Sequence, residues 1–228
     1  MGSVGTNIKL RGGENDPEIT DSIEDYYLPD AIRTKLPIIR GINTYEDFEK
    51  YLNDKGISLD TDLDKLKVDR RKDIIPTVQE MIQKVATAIE TYEYMFGKNS
   101  LSSLKAIKLY DQDLDTHAAY HFNLKGENDP LAGTIRFRDW NVSGRDIFHE
   151  LGHVMQDSMK GHNDDIISYT NNLARNITIP NSAYKGVSNL GEQNAEMMAE
   201  ALAFGFSRGT PQGLRFITAY RNYIRKKR

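Results

Sequence analysis

Three features of the sequence predict an α+β fold. Short apolar runs with strand spacing cluster between residues 104 and 137, helical periodicity dominates on both sides of them, and the helices after residue 144 follow one another without intervening strands. An alternating α/β chain would interleave the two periods throughout.

In chain order, the stretch up to about Thr20 holds Gly12, Gly13 and Pro17 with few apolar residues, and reads as a flexible tail or an expression remnant. Thr44 suits a helix N-cap, and Tyr45, Phe48 and Leu52 then fall on one side of a short helix that ends by Gly56. A longer helix is predicted from about Pro76, favoured in a first turn, to Met95, with Gly97 closing it. Its stripe of Ile82, Val85, Ile89 and Tyr92 has the spacing of a core face. Residues 21–100 are thus expected to form a helical part packed on the same domain as a core spanning 101–228. Strands are predicted at Ala106–Leu109, Ala118–Phe122 and Gly133–Phe137, separated by turn-rich segments such as Asp111-Gln112-Asp113 and Gly126-Glu127-Asn128-Asp129-Pro130. Helices follow at about 144–160, 165–175, 191–206 and 211–226.

Composition narrows the function classes. The 228 residues carry a net charge of -3, which gives no reason to expect nucleic acid as a partner. There is no cysteine, so a metal ion would have to be held by His, Asp or Glu. No apolar run is long enough for a membrane helix, and no charged-then-apolar leader is visible, so a soluble monomer is expected; the compartment is left open, secretion included.

The chemistry concentrates in His149-Glu150-Leu151-Gly152-His153. Ser143 can cap this helix, with Asp146 three residues on as the acidic partner, and Gly161 stops it. His149 and His153 are four apart, which stacks their rings on one face at a separation that suits a single tetrahedral zinc ion. Glu150 is then free to serve as a base instead of a ligand. Two surface histidines would satisfy the bare pattern equally well; the helix caps and a second acidic helix weigh against that reading.

The second helix carries Glu192, Glu196 and Glu200 at intervals of four, among Met197, Met198, Ala201, Leu202 and Phe204. Stacked carboxylates repel unless a cation compensates, and carboxylates on a largely buried helix need a partner. Glu192, near the start, is expected to be solvated. Glu196 is the candidate third ligand, and Glu200 is placed to accept a hydrogen bond from the outward nitrogen of a metal-bound histidine. Periodicity alone does not separate Glu196 from Glu200.

These two segments resemble the catalytic domain of anthrax lethal factor and the related Pro-Pro endopeptidases, which are gluzincin metallopeptidases. The resemblance rests on the His-Glu-x-Gly-His helix, on Ala195-Glu196-Met197-Met198-Ala199-Glu200-Ala201, and on Thr210-Pro211-Gln212-Gly213-Leu214-Arg215-Phe216-Ile217. It covers roughly residues 133–224 and does not reach the N-terminal helices. It implies a zincin-like fold with a small mixed or antiparallel sheet, Zn2+ held by His149, His153 and Glu196, Glu150 as general base, and a peptide or protein substrate bound in extended form. Residues 133–138 hold the place of the zincin edge strand, which would pair with that substrate. The family's tyrosine seven residues before the ligand glutamate is replaced here by Asn189; Tyr184, or more weakly Tyr169, is the candidate to stabilise the oxyanion. Similar cassettes close phage-encoded and toxin-like proteins, so the alternative expectation is a phage structural or effector binding module that keeps a zinc site without proteolysis. His117, His121 and His162 are expected to be solvated or hydrogen-bonded.

Overall fold

The computed structural model describes residues 42–61, 76–123, 128–140, 142–159, 196, 198–203, 205–206, 213–214, 216–218 and 220–222. Helix α1 (Tyr45–Asn53) starts at a full capping box: Thr44 Oγ1 accepts from the Asp47 N–H at 3.1 Å, and Asp47 Oδ2 accepts from the Thr44 N–H at 3.0 Å. Phe48 and Leu52 are buried on its inner side. Gly56, at φ +75°, turns the chain into β1 (Ser58–Thr61), a backbone angle that glycine adopts without a steric penalty. Then come α2 (Pro76–Phe96), a 3-10 turn (Lys98–Leu101), β2 (Ala106–Leu109), β3 (Ala118–Tyr120), β4 (Thr134–Phe137) and α3 (Gly144–Met159).

The fold is mixed α and β, with one four-stranded sheet among the described residues, in the order β1-β2-β4-β3. β1, β2 and β4 run parallel; β3 is antiparallel to β4 and forms one edge, with β1 at the other. Two sequence expectations are corrected here. The part before residue 100 is not purely helical: it supplies β1, so α2 lies within the crossover between two parallel strands. Ser58-Leu59-Asp60-Thr61 is short and polar at three of its four positions, and only pairing with β2 makes it a strand. In addition, β4 is central, flanked by β2 and β3, and the edges are β1 and β3. Thr134, Ile135 and Phe137 are all buried, as suits a strand covered on both sides.

On one face of the sheet, Ile107, Leu109, Ile135 and Phe137 join a core with Ile82 and Ile89 of α2 and Ile147, Leu151 and Val154 of α3. On the other face Arg136 pairs with the fully buried Asp111 at 2.5 Å and reaches His121 Nε2 at 3.3 Å. Tyr92 of α2 is buried and donates its hydroxyl to the Phe148 carbonyl of α3 at 2.7 Å, which ties the two helices together at the turn carrying the histidines. No helix among the described residues is long and apolar enough to cross a membrane.

Beyond α3, the helical residues 196, 198–203 and 205–206 pack against the helical residues 213–214, 216–218 and 220–222 through paired glycines. A β-carbon on Gly213 would stand 2.4 Å from the Gly205 nitrogen and 2.7 Å from the Ala201 carbonyl oxygen. These are backbone atoms that cannot swing aside. Gly213→Ala is therefore expected to destabilise the fold by about 1–3 kcal/mol or more, seen as a lower urea midpoint. An unchanged midpoint would contradict this helix crossing.

Candidate metal centre

α3 starts at Ser143, whose Oγ accepts from the Asp146 N–H at 3.2 Å and donates to the Asp146 carboxylate at 2.7 Å. Capping sets the phase of the helix, and Ile147, Leu151 and Val154 hold its inner side in the core. His149 and His153 then project from successive turns with ring centroids 4.7 Å apart. Gly152, between them, is where the second helical segment crosses. A β-carbon there would lie 3.0 Å from Ala199 Cα and 3.2 Å from Ala199 Cβ. Glycine at 152 and alanine at 199 thus let the two helices meet almost backbone to backbone, and Glu196, one turn before Ala199, arrives beside the histidines.

His149 Nε2 and His153 Nε2 are 3.0 Å apart; Glu196 Oε2 is 3.2 Å from the first, and Oε1 is 3.3 Å from the second. A tetrahedral ion with bonds of about 2.0–2.1 Å holds its ligand atoms about 3.3 Å apart. The triangle has that size. Two imidazole nitrogens at 3.0 Å cannot both present lone pairs to each other without a cation between them, whether a proton or a metal. Among the described residues these three form the one group of His, Asp or Glu side chains whose ligand atoms converge in this way, and the group could hold a metal ion.

The surroundings separate the roles of the carboxylates. Glu150 is 8% exposed and is not in the converging group. Burial raises its pKa above the ordinary carboxylate range, against the opposing pull of His153 and His149 and of a hydrogen bond from the Tyr120 backbone. Glu196 goes the other way: burial works against its charge, but hydrogen bonds to His149 and His153 outweigh that and hold its pKa well below the usual range. Glu200 is 2% exposed, forms an ion pair with Arg145, and places Oε1 3.6 Å from His149 Nδ1. That is ion-pair distance, slightly too long for a hydrogen bond. His149 Nδ1 and Glu200 Oε2 are both buried without a hydrogen-bond partner among the described residues. A cation on the far side of the His149 ring would strengthen the Nδ1–H as a donor towards this carboxylate.

Three neighbours of the site, Gln156, Phe122 and Arg145, escape sequence reasoning. Gln156 Oε1 lies 3.1 Å from His153 Nδ1, and the Phe122 ring stands edge-on to His153 at 5.3 Å. The spacing of three between His153 and Gln156 on one helix could have revealed the first; nothing local marks the second. Arg145, which neutralises Glu200 across 55 positions, was equally invisible. His121 does not join a second cluster: its Nδ1 faces Asp129 at 3.4 Å and its Nε2 faces Arg136. Tyr184, Tyr169, Asn189, Glu192 and His162 lie outside the described residues, as does the helix predicted at 165–175.

Comparison with protein-family models, with curated proteins and with solved structures found no match to this chain.

Two predictions follow from the geometry. Burial disfavours a charge on His153, but the hydrogen bond to Glu196 and the charges of Glu150 and Glu196 prevail, so its pKa in the metal-free protein is raised. A metal must displace that proton, so apparent metal affinity should fall as pH is lowered, beginning above the range of a free imidazole near ~6.5. Titration calorimetry in buffers of different ionisation enthalpy should show proton release; an affinity independent of pH would reject the ligand set. Gly152→Ala should force Ala199 away by a few tenths of an ångström and weaken metal binding together with stability, whereas unchanged metal affinity would show that this helix contact does not position Glu196.

Proposed function

We propose that the chain is a zinc-dependent endopeptidase of the gluzincin type, as its resemblance to the lethal factor and Pro-Pro endopeptidase group implies. The observation that carries this reading is the triangle of His149 Nε2, His153 Nε2 and Glu196, with the buried Glu150 beside it and outside it. Two imidazoles and one carboxylate without thiolates suit zinc at a hydrolytic centre.

His149, His153 and Glu196 would hold the ion, and Glu200 with Arg145 would orient His149. Bound zinc supplies Lewis acidity, which polarises a scissile carbonyl and acidifies the attacking water. Glu150 takes the proton of that water and passes it to the leaving amine. The donor to the oxyanion is assigned to Tyr184.

An extended peptide would add to the outer edge of β3, not to β4. The Tyr120 N–H on this strand hydrogen-bonds to Glu150, so the edge runs past the base. Backbone pairing there would give affinity largely independent of sequence, with side-chain pockets supplying selectivity.

Glu150→Gln should retain zinc and lower turnover by about 10²–10⁴-fold in a peptide-library cleavage assay, and wild-type cleavage by this variant would remove Glu150 as the base. Glu196→Ala should weaken zinc by more than the ~10–100-fold typical of losing an outer-shell partner, while Glu192→Ala leaves it unchanged. Equal effects of the two changes would reject Glu196 as a ligand.

A further inference from the structure

The two imidazoles of the centre are oriented by chemically different neighbours. Behind His149 stands a carboxylate, Glu200, whose charge is matched by Arg145. Behind His153 stands an amide, that of Gln156, with Oε1 3.1 Å from Nδ1. The adjacent carboxylate, Asp157, is committed elsewhere: its Oδ2 accepts from the Tyr120 hydroxyl at 2.7 Å and from the Asn123 N–H at 3.0 Å. The helix thus delivers Gln156 to the histidine and sends Asp157 to hold the end of β3.

We propose that Gln156 is a positioning residue of the metal centre, whose amide oxygen fixes the Nδ1–H tautomer of His153 and so directs the Nε2 lone pair at the ion. The inference rests on the metallopeptidase reading and adds to it a residue that holds no metal itself. A neutral imidazole has one donor and one acceptor nitrogen, and a carbonyl oxygen can only accept. With Gln156 Oε1 on Nδ1, the proton belongs on Nδ1 and Nε2 is the acceptor. The reverse amide orientation would present N–H groups to Nδ1 and drive the proton to Nε2. There it would point into the 3.0 Å gap to His149, where an ion has to bind. Phe122 bounds the ring on one side, and His153 is only 5% exposed, so the ring has little room to swing. Gln156 therefore acts on which nitrogen carries the proton more than on where the ring sits.

The test uses the full chain, with zinc titrated in competition with a chromophoric chelator. Gln156→Met keeps the volume and removes the acceptor, and is expected to weaken zinc about 10–100-fold, the range for losing an outer-shell partner. Gln156→Glu keeps an acceptor at the same reach and should bind zinc at least as tightly as the unaltered chain. Thermal midpoints of the metal-free proteins should agree, and ¹⁵N NMR of the zinc-loaded unaltered chain should show His153 protonated at Nδ1 and ligating through Nε2. Met and unaltered proteins that bind zinc equally well would overturn the role of Gln156, as would a Glu variant as weak as the Met variant. An unaltered chain that binds no zinc would instead overturn the metallopeptidase reading itself, and this inference with it.

Discussion

Two helices in this chain meet where neither has a side chain larger than a methyl group. Gly152 on α3 faces Ala199, and any larger pair would hold the backbones further apart. The cost of a glycine in the middle of a helix, about 1 kcal/mol relative to alanine, is accepted at a single position of α3, between the two histidines. Close approach is what makes Glu196 part of the same cluster, because a carboxylate on a short side chain reaches little further than one turn. The paired glycines at 205 and 213 extend the same logic outward, bringing the backbones at these two positions together.

Close packing creates an electrostatic problem that the remaining residues resolve. Glu150 and Glu200 are both buried, and the less buried Glu196 stands against the two histidines. Three carboxylates in one water-poor space would repel strongly without compensation. Arg145 answers Glu200, the imidazoles answer Glu196, and Glu150 is left with a raised proton affinity. The arrangement divides one type of side chain into three distinct characters by surroundings alone. Tyr92, anchored on the Phe148 carbonyl, fixes the depth at which this turn of α3 sits against α2.

What could be read from sequence was what is local. The four-residue spacing of His149 and His153 and the caps at Ser143 and Thr44 are statements about single helices, set by local sequence alone. The strand at 106–109 was equally legible, bounded by turn residues. Sheet order was not: nothing in Gly133-Thr134-Ile135-Arg136-Phe137 says which strands flank it, and Arg136 between two apolar residues gave no sign of a central strand. β1 carried no strand signal, because Ser58 and Asp60 owe their conformation to pairing with β2. The choice between Glu196 and Glu200 depended on depth, and depth was set by Arg145 and Ala199, residues whose proximity no periodicity encodes. The resemblance to gluzincins named Glu196 from the order of the glutamates, and Glu196 is the one in the converging group, whereas Glu200 stands at ion-pair distance from His149 instead of accepting the expected hydrogen bond.

The central claim is that these three side chains hold one divalent ion, and diffraction at the zinc absorption edge tests it most directly. Crystals grown with zinc should show one strong anomalous peak about 2.0–2.2 Å from His149 Nε2, His153 Nε2 and a Glu196 oxygen. A peak absent from this triangle at saturating zinc, or one seated on other histidines such as His117 or His121, would contradict the account.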